Sequence, residues 1–282
     1  MLQGIYWGSF LVFPFLLYLY WQWQKGRTRF SASFLLLSLL FIWARFIEPY
    51  WIQVHHYAIP LGLNQKIAVI SDIHLGLYKG PEFLSRVVTR LNTLDIDLVL
   101  IAGDFTYEPQ TPLTPLYQSL SRLRVPCFAV LGNHDTGHPG PPLRAELITA
   151  LTNANVTVLQ NAIQPQADFT LVGLGSFMAG EDEVSLVDDL GQKRPVIVLT
   201  HNPDSMTRMN TRHVDLVITG HTHGGQIRIP GVYRHVIPTQ GAFDQGLMQY
   251  NHSRLFITSG LGTIGLPLRL MIPPSIDVLD LH

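Results

Sequence analysis

Charge, cysteine and late tryptophan are what this chain has little of. Only 14% of its 282 residues are Asp, Glu, Lys or Arg, and the formal net charge is −1. No overall basic field therefore draws it to nucleic acid, and no nucleic-acid partner is expected. Cys127 is the single cysteine, which excludes an intramolecular disulfide. It lies within the apolar run 125–131 and reads as a buried core thiol, leaving the redox compartment open. All five tryptophans (Trp7, Trp21, Trp23, Trp43 and Trp51) fall in the first 51 residues, which argues for an aromatic belt and against a base-stacking platform. There is no internal repeat and no low-complexity linker.

The absence of charge is concentrated at the start. From Met1 to Gln24 there is no Asp, Glu, Lys or Arg, a length that suffices for a membrane span of about 20 residues. Pro14 predicts a kink that lipid tolerates. The basic cluster Lys25, Arg27 and Arg29 follows, then a second apolar run, 30–44. Arg45 and Glu48, one helical turn apart, are expected to pair or snorkel, and continuation to Ile52 gives a second span with Tyr50 and Trp51 at the interface. A cleaved signal peptide fits poorly, because a charged leading region is missing. The sequence thus predicts a helical hairpin anchor over 1–52, a linker over 53–65 and a catalytic domain over 66–282. Positive loops stay in the cytoplasm, which puts the domain outside; a second run lying in the interface would keep it inside.

What is present beyond Lys66 is a strand–helix rhythm punctuated by motifs. Apolar strand-like runs 67–71, 98–102 and 127–131 alternate with helical patterns opening at Pro81 and near Leu113, which implies parallel strands. The second half is richer in strand-like runs, at 169–174, 196–200, 216–219, 226–229, 255–259 and 276–281. The segments 138–142 and 181–189 read as surface loops. Five runs end in short polar motifs: Asp72-Ile73-His74, Gly103-Asp104, Gly132-Asn133-His134-Asp135, Thr200-His201-Asn202-Pro203 and Gly220-His221-Thr222-His223. Alone, the first reads as a helix cap beside a surface histidine, and the third as turn chemistry. Together they supply carboxylate, imidazole and amide donors, the mixed N/O set of a pair of divalent cations such as Zn, Mn, Fe or Co.

This series resembles the calcineurin-like metallophosphoesterase superfamily, whose blocks run D-x-H, G-D, G-N-H-[DE], H and G-H-x-H in the same order. The strings from Gly220 to Gln226 and from Ser259 to Thr263 resemble a bacterial membrane-associated subgroup, and residues 1–65 lie outside the resemblance. It implies an α/β fold, a two-sheet α/β/β/α sandwich. It implies two metal ions, one held by Asp72, His74 and His223, the other by Asn133, His201 and His221, with Asp104 bridging. His134 is implied as a non-ligand facing the leaving group, oriented by Asp135.

The implied activity is phosphodiester or diphosphate hydrolysis, on a lipid-linked or cell-envelope substrate at a bacterial cytoplasmic membrane. Alternatives are a UDP-2,3-diacylglucosamine pyrophosphatase facing the cytoplasm and a non-catalytic binding protein on the same fold. Two departures bear on this. Gly103-Asp104 continues Phe-Thr-Tyr-Glu and not Asp-Arg, against a phosphoprotein phosphatase; and His134 stands where the soluble UDP-diacylglucosamine pyrophosphatases carry Arg. His55 and His56, just past the second apolar run, read as interfacial and not as ligands. His138 reads as a loop histidine, with contact to substrate the alternative, and His213, His235, His252 and His282 have no partner pattern.

Overall fold

A computed structural model describes the chain apart from residues 27–30, 189 and 191–193. Arg27 and Arg29 of the basic loop therefore lie outside the described residues, as does the end of the 181–189 segment. The N-terminus forms α1 (Leu2–Gly8), a 3₁₀ turn Ser9–Leu11 and α2 (Val12–Gln24) in continuous succession. The tight turn sits where Pro14 cannot donate to the residue-10 carbonyl, which accounts for the local change of pitch. After the loop come α3 (Ser31–Ile42) and a π segment Trp43–Ile47. The stretches Leu2–Gln24 and Ala32–Tyr50 are each long and apolar enough to cross a membrane. They run antiparallel, with Phe15 against Phe34 and Phe10 against Phe46. Arg45 and Glu48 do not pair. The wider π turn takes residues three apart off a common face, so Arg45 reaches back to Ser9 and Glu48 turns to the domain.

Chain order then runs β1 (Gln53–Ile59), β2 (Gln65–Ile70), the two-residue β3 (Leu75–Gly76), α4 (Pro81–Leu91), β4 (Leu98–Ala102) and β5 (Thr106–Tyr107). Next come α5 (Leu113–Tyr117), β6 (Cys127–Val130), α6 (Arg144–Asn153), β7 (Val156–Val158), β8 (Ala162–Pro165) and β9 (Thr170–Gly173). The chain closes with β10 (Val196–Leu199), β11 (Leu216–Thr219), β12 (Gly246–Tyr250), β13 (Ser253–Ile257) and β14 (Ser275–Leu281).

Two six-stranded sheets result, ordered β1-β14-β2-β4-β6-β7 and β12-β13-β11-β10-β9-β8. β2, β4, β6 and β7 are parallel, as are β9, β10, β11 and β13. Alternate side chains sort onto two buried faces. Ile67, Val69, Leu98 and Leu100 pack between the sheets against Ile197, Leu199 and Ile218. Ala68, Ile70, Val99 and Ile101 pack outward under α4, α5 and α6. The outer face of the second sheet is covered by 3₁₀ turns carrying Val187 and Met206. This is the α/β/β/α sandwich.

Three local expectations change. The stretch 53–65 contains β1, paired in parallel with all seven residues of β14, so only its end is a connection. Its polar His55 and His56 sit at a sheet edge, where water tolerates them; His55 is held by Asp277, 3.2 Å away, which raises its pKa. Residues 226–229 form no strand, only a single bridge from Ile227 to Leu270, because Gly225 precedes and Pro230-Gly231 follows. The acidic 181–189 segment is not simply solvated: Asp182 is buried under the second sheet's cover, bonded to Ser205 and Arg208.

Candidate metal centre

Each motif lies in the loop that leaves the carboxyl end of a parallel strand: β2, β4, β6, β10 and β11. The loops are stitched to one another before their side chains are considered. Asp72 N–H donates to the Gly103 carbonyl, His74 N–H to the Asp104 carbonyl, and Gly220 N–H to the His201 carbonyl. His134 N–H donates to Asp104 Oδ1 at 3.0 Å, and His221 N–H to Asp72 Oδ2 at 3.1 Å. Such close approach needs bare backbone. A Cβ on Gly220 would sit 1.9 Å from Ser71 Oγ, and one on Gly262 2.5 Å from the Asp72 carbonyl oxygen. Asp72, His74, Asp104, His221 and His223 all have φ between 48° and 71°. Non-glycine residues adopt that region at a cost of about 1–3 kcal/mol each, a strain found where function demands the placement.

Two groups of donors form. Asp72, His74 and His223 make one, and Asp104, His201 and His221 the other; within each, the donor atoms lie within 4.8 Å of one another. Asn133 joins the second, its Oδ1 3.1 Å from His201 Nε2. Asp104 Oδ2 stands between the groups, 3.2 Å from His201 Nε2 and 3.7 Å from His74 Nε2. The seven residues expected as ligands therefore converge.

Outer hydrogen bonds set the imidazole directions. His74 Nδ1 faces the Thr106 carbonyl at 3.2 Å and His201 Nδ1 the Ala102 carbonyl at 2.7 Å, which turns both Nε2 atoms inward. His221 is reversed, with Nε2 on the Pro238 carbonyl and Nδ1 inward.

The inward atoms are only partly matched, and Asp72 Oδ1 and His223 Nδ1 are buried with no hydrogen-bond partner. His74 Nε2 and His223 Nε2 stand 3.1 Å apart in nearly parallel rings. Burial pushes His74 down to about 3, His221 down to about 4, and His223 well below its usual value, so these rings are neutral and offer lone pairs. Asp72 Oδ1 lies 3.4 Å from His223 Nε2. A bare buried carboxylate oxygen facing imidazole lone pairs is costly on its own. A divalent cation held by each group would take up these lone pairs and the carboxylate charge. The residues present fit the metal.

The carboxylates differ. Burial, with the Asp104 charge beside it, pushes Asp72 up to about 6 against the pull of His201. Burial would also raise Asp104, but His201, His74 and His134 outweigh it and hold that carboxyl below its usual range. Burial would lower His201; Asp104 and then Asp72 raise it to about 9.

His134 is buried beside the ligands without belonging to either group, its ring edge-on to His74 and Tyr107 at 5.2 and 5.6 Å. Burial lowers its pKa. Asp135 does not orient it. Its carboxylate accepts from the backbone N–H groups of Phe105, Thr106 and Gly132 and from Thr106 Oγ1, binding the Asp104 loop to the Asn133 loop. A carboxylate that follows a turn within a parallel sheet caps neighbouring amides in preference to a ring that points the other way. His134, Asp104, Asn133, His221 and His223 line a cavity of about 450 Å³. Exposed His138 lines it too, and its carbonyl accepts from Asn133 Nδ2.

Sequence reading missed the support behind the first ligand loop. Arg269, fully buried, donates to the carbonyls of Ser259, Gly260, Gly262 and Ile272. It holds residues 259–262 against Asp72, where Leu261 N–H reaches the Ser71 carbonyl and Gly262 N–H the Asp72 carbonyl. Lys79 Nζ donates to the carbonyls of Leu261 and Pro49, and Glu48 accepts from Ile272 N–H at 2.6 Å. The base of the hairpin is thus bonded to the segment that backs the metal loop. No short motif marks Glu48, Lys79 or Arg269: the partners of Glu48 and Lys79 are distant in sequence, and Arg269 binds nearby carbonyls through a loop geometry that no residue pattern announces.

Two adjoining donor groups at the carboxyl ends of stacked sheets, with one carboxylate standing between them, form a pair of candidate sites for divalent metal, the equipment of a metal-dependent hydrolase. Residues 65–225 match the family model described as calcineurin-like phosphoesterase, and the chain belongs to that family. It is a metal-dependent phosphoester hydrolase. It is similar to an uncharacterized metallophosphoesterase, YkuE, of Bacillus subtilis (30% identity, covering 85% of this chain and 88% of that one). It is similar to the phosphodiesterase YaeI of Escherichia coli (29%, covering 91% and 99%). A third relative is the UDP-2,3-diacylglucosamine pyrophosphatase LpxG of Chlamydia trachomatis (28%, covering 68% and 75%).

Proposed function

We propose that this protein hydrolyses a phosphodiester or diphosphate whose substituent is lipid-linked, at the surface of the membrane that its hairpin spans. Asp72, His74 and His223 would hold one divalent ion, Asn133, His201 and His221 the other, and Asp104 both. The observation that carries the hydrolytic part is Asp104 Oδ2, within 3.7 Å of imidazole nitrogens from both donor groups. When bound, the two ions supply Lewis-acid charge and a water acidified towards neutrality. The N/O donor set suits Mn, Zn or Fe.

The chain's own residues do the rest. The loops that carry Asp72 and Asp104 are locked to each other by backbone hydrogen bonds, so the donors stand preorganised. His134 lines the cavity with a neutral ring, which donates an N–H to a phosphoryl or leaving-group oxygen. Asp135 keeps the His134 and Asp104 loops in register without touching substrate. A non-catalytic scaffold is disfavoured because no donor is missing.

The kinship to LpxG favours a second reading, a nucleotide-linked lipid diphosphate. That substrate requires the domain to face the cytoplasm, whereas the basic hairpin loop favours the outside. Protease added to spheroplasts should remove a tag at His282 if the domain is outside; a tag cleaved only after lysis supports the second reading. The activity itself is tested by adding Mn, Zn or Mg to metal-stripped protein. Hydrolysis of bis(4-nitrophenyl) phosphate faster than of 4-nitrophenyl phosphate is expected, and preference for the monoester would overturn the diester assignment.

A further inference from the structure

Among the described residues beyond Trp51, eight large apolar side chains are exposed: Ile163, Met178, Ile229, Val232, Val236, Leu247, Leu266 and Met271. Two of them, Ile163 and Leu247, lie on β8 and β12, the opposite edges of the second sheet. The other six gather around one feature. Met178, Val236 and Leu266 line the metal cavity, and Ile229, Val232 and Met271 belong to the same two loops, 226–238 and 264–272. Those loops are joined where Arg228 N–H donates to the Leu270 carbonyl and Leu270 N–H to the Gln226 carbonyl. Gln226 also ties them through its side-chain amide, which reaches Ile264 and Leu266.

The same loops are bonded to the base of the hairpin. Arg269 N–H donates to the Ala44 carbonyl at 2.8 Å, Ile272 N–H to Glu48 Oε1, and Tyr78 Oη to the Gly265 carbonyl, with Tyr6 stacked on Tyr78. The loops that carry these exposed apolar side chains therefore connect the base of the two long apolar helices to the lining of the metal cavity. Met271 is 63% exposed and held at φ 61°. A bulky apolar residue in that conformation, facing outward, has no account in the fold of the domain.

We infer that loops 226–238 and 264–272 form a membrane-contact surface that dips into the lipid interface beside the hairpin, so that the cavity opens at the bilayer and takes a phosphoester whose apolar part stays in lipid. The occupant is the bilayer, and what argues for it is continuity with the hairpin base. Hairpin helices that end at the domain hold these loops at the level of the lipid headgroups, where apolar loop side chains are buried without a protein partner. The substrate phosphate then needs to rise only as far as His134 and the metal ligands, while its acyl portion lies along Val236, Ile264 and Leu266. This deepens the reading under Proposed function and rests on it for the hydrolysis alone.

The test uses the full chain in phosphatidylcholine vesicles. Cys127 is buried and burial pushes its thiol pKa up, so a new cysteine at the surface is labelled selectively. Val232→Cys and Met271→Cys, each carrying an environment-sensitive fluorophore, should be quenched when the lipids have brominated acyl chains. Ile163→Cys should not be. Quenching at 232 and 271 no stronger than at 163 overturns the surface, whether those loops are bare or covered by a protein. This readout needs no turnover, so an inactive protein that is quenched would sink the hydrolase reading and leave the surface standing. The combined variant Ile229→Ser, Val232→Ser and Met271→Asn should keep its rate on bis(4-nitrophenyl) phosphate. Its rate on a bilayer-embedded phosphodiester should fall by about tenfold, through lost local presentation. Equal effects on both substrates would overturn the lipid-side entry.

Discussion

Two buried polar networks flank the segment 259–272, and they are built to opposite rules. At the hairpin base, Glu48 accepts from Ile272 N–H and Trp43 Nε1, Lys79 donates to two carbonyls, and Arg269 donates to four. Every one of these three charged groups is matched by protein. On the other side, His74 Nε2 and His223 Nε2 face one another at 3.1 Å, and Asp72 Oδ1 and His223 Nδ1 are without partners. A network that only supports structure satisfies itself, whereas one that awaits a ligand leaves lone pairs convergent and unmet. Burial is common to both, so burial alone does not distinguish them.

The comparison breaks most visibly at Asp104. Asp104→Asn removes the charge shared by the two donor groups, and turnover should fall by about 10³-fold or more, since preorganised charge supplies that scale. Metal analysis should find fewer than two ions per chain with the circular dichroism of the fold retained. Wild-type metal content and rate would show that Asp104 bridges nothing. Next in size is His134→Ala, which should leave both ions bound and lower kcat by about 10²–10³-fold, the cost of one transition-state donor. Good and poor leaving groups should suffer alike, because a neutral ring gives a hydrogen bond. Selective loss with poor leaving groups would make His134 a proton donor instead.

How much of this was legible depended on whether the chemistry was local. Strands such as 98–102 and 216–219 are apolar runs buried on both faces, and each ligand motif abuts the run that delivers it, so the sheet cores and the converging donors could be read directly. The strand Gln53–Ile59 could not. Its Gln, two His and Tyr alternate without a clear apolar face, and it becomes a strand only because β14, over 200 residues away, offers an edge. Glu48 was read as a partner of Arg45 because its actual partner, the Ile272 amide, lies in a remote segment. Arg269 went unread because its carbonyl partners, though near in sequence, carry no side-chain pattern. Asp135 was misread because its motif predicts closeness to His134 but not the direction in which its carboxylate points.

The strand at the edge predicts a truncation effect of intermediate size. A chain beginning at Lys66 loses β1 and with it Ile59, fully buried between the sheets, and half-buried Tyr57. At about 1.5–3 kcal/mol per fully buried large side chain, the loss is a large part of the roughly 5–15 kcal/mol by which an ordinary domain is stable. Such a chain should aggregate, whereas one beginning at Ile52 should remain monomeric by light scattering. Equal solubility would show that β1 is a dispensable linker. The smallest effect belongs to the hairpin base. Glu48→Ala strands the Ile272 amide and the Trp43 indole N–H, costing about 1–3 kcal/mol in the thermal unfolding of the full chain in detergent. Its metal content should be unchanged, and a loss of metal would merge the two networks into one.

Whether seven side chains form one dinuclear site is decided by titrating metal-stripped protein with Mn or Zn. Asp104 holds the His201 ring protonated up to about pH 9 in the absence of metal, and a ligand imidazole must be neutral. Metal uptake at pH 7.5 should therefore release a proton, and binding should strengthen as pH rises from 6 towards 9, by about tenfold per unit for each proton displaced. The account predicts two ions per chain, with phosphodiester hydrolysis complete only when the second has bound. Full activity at one ion per chain, or binding indifferent to pH across that window, would contradict it.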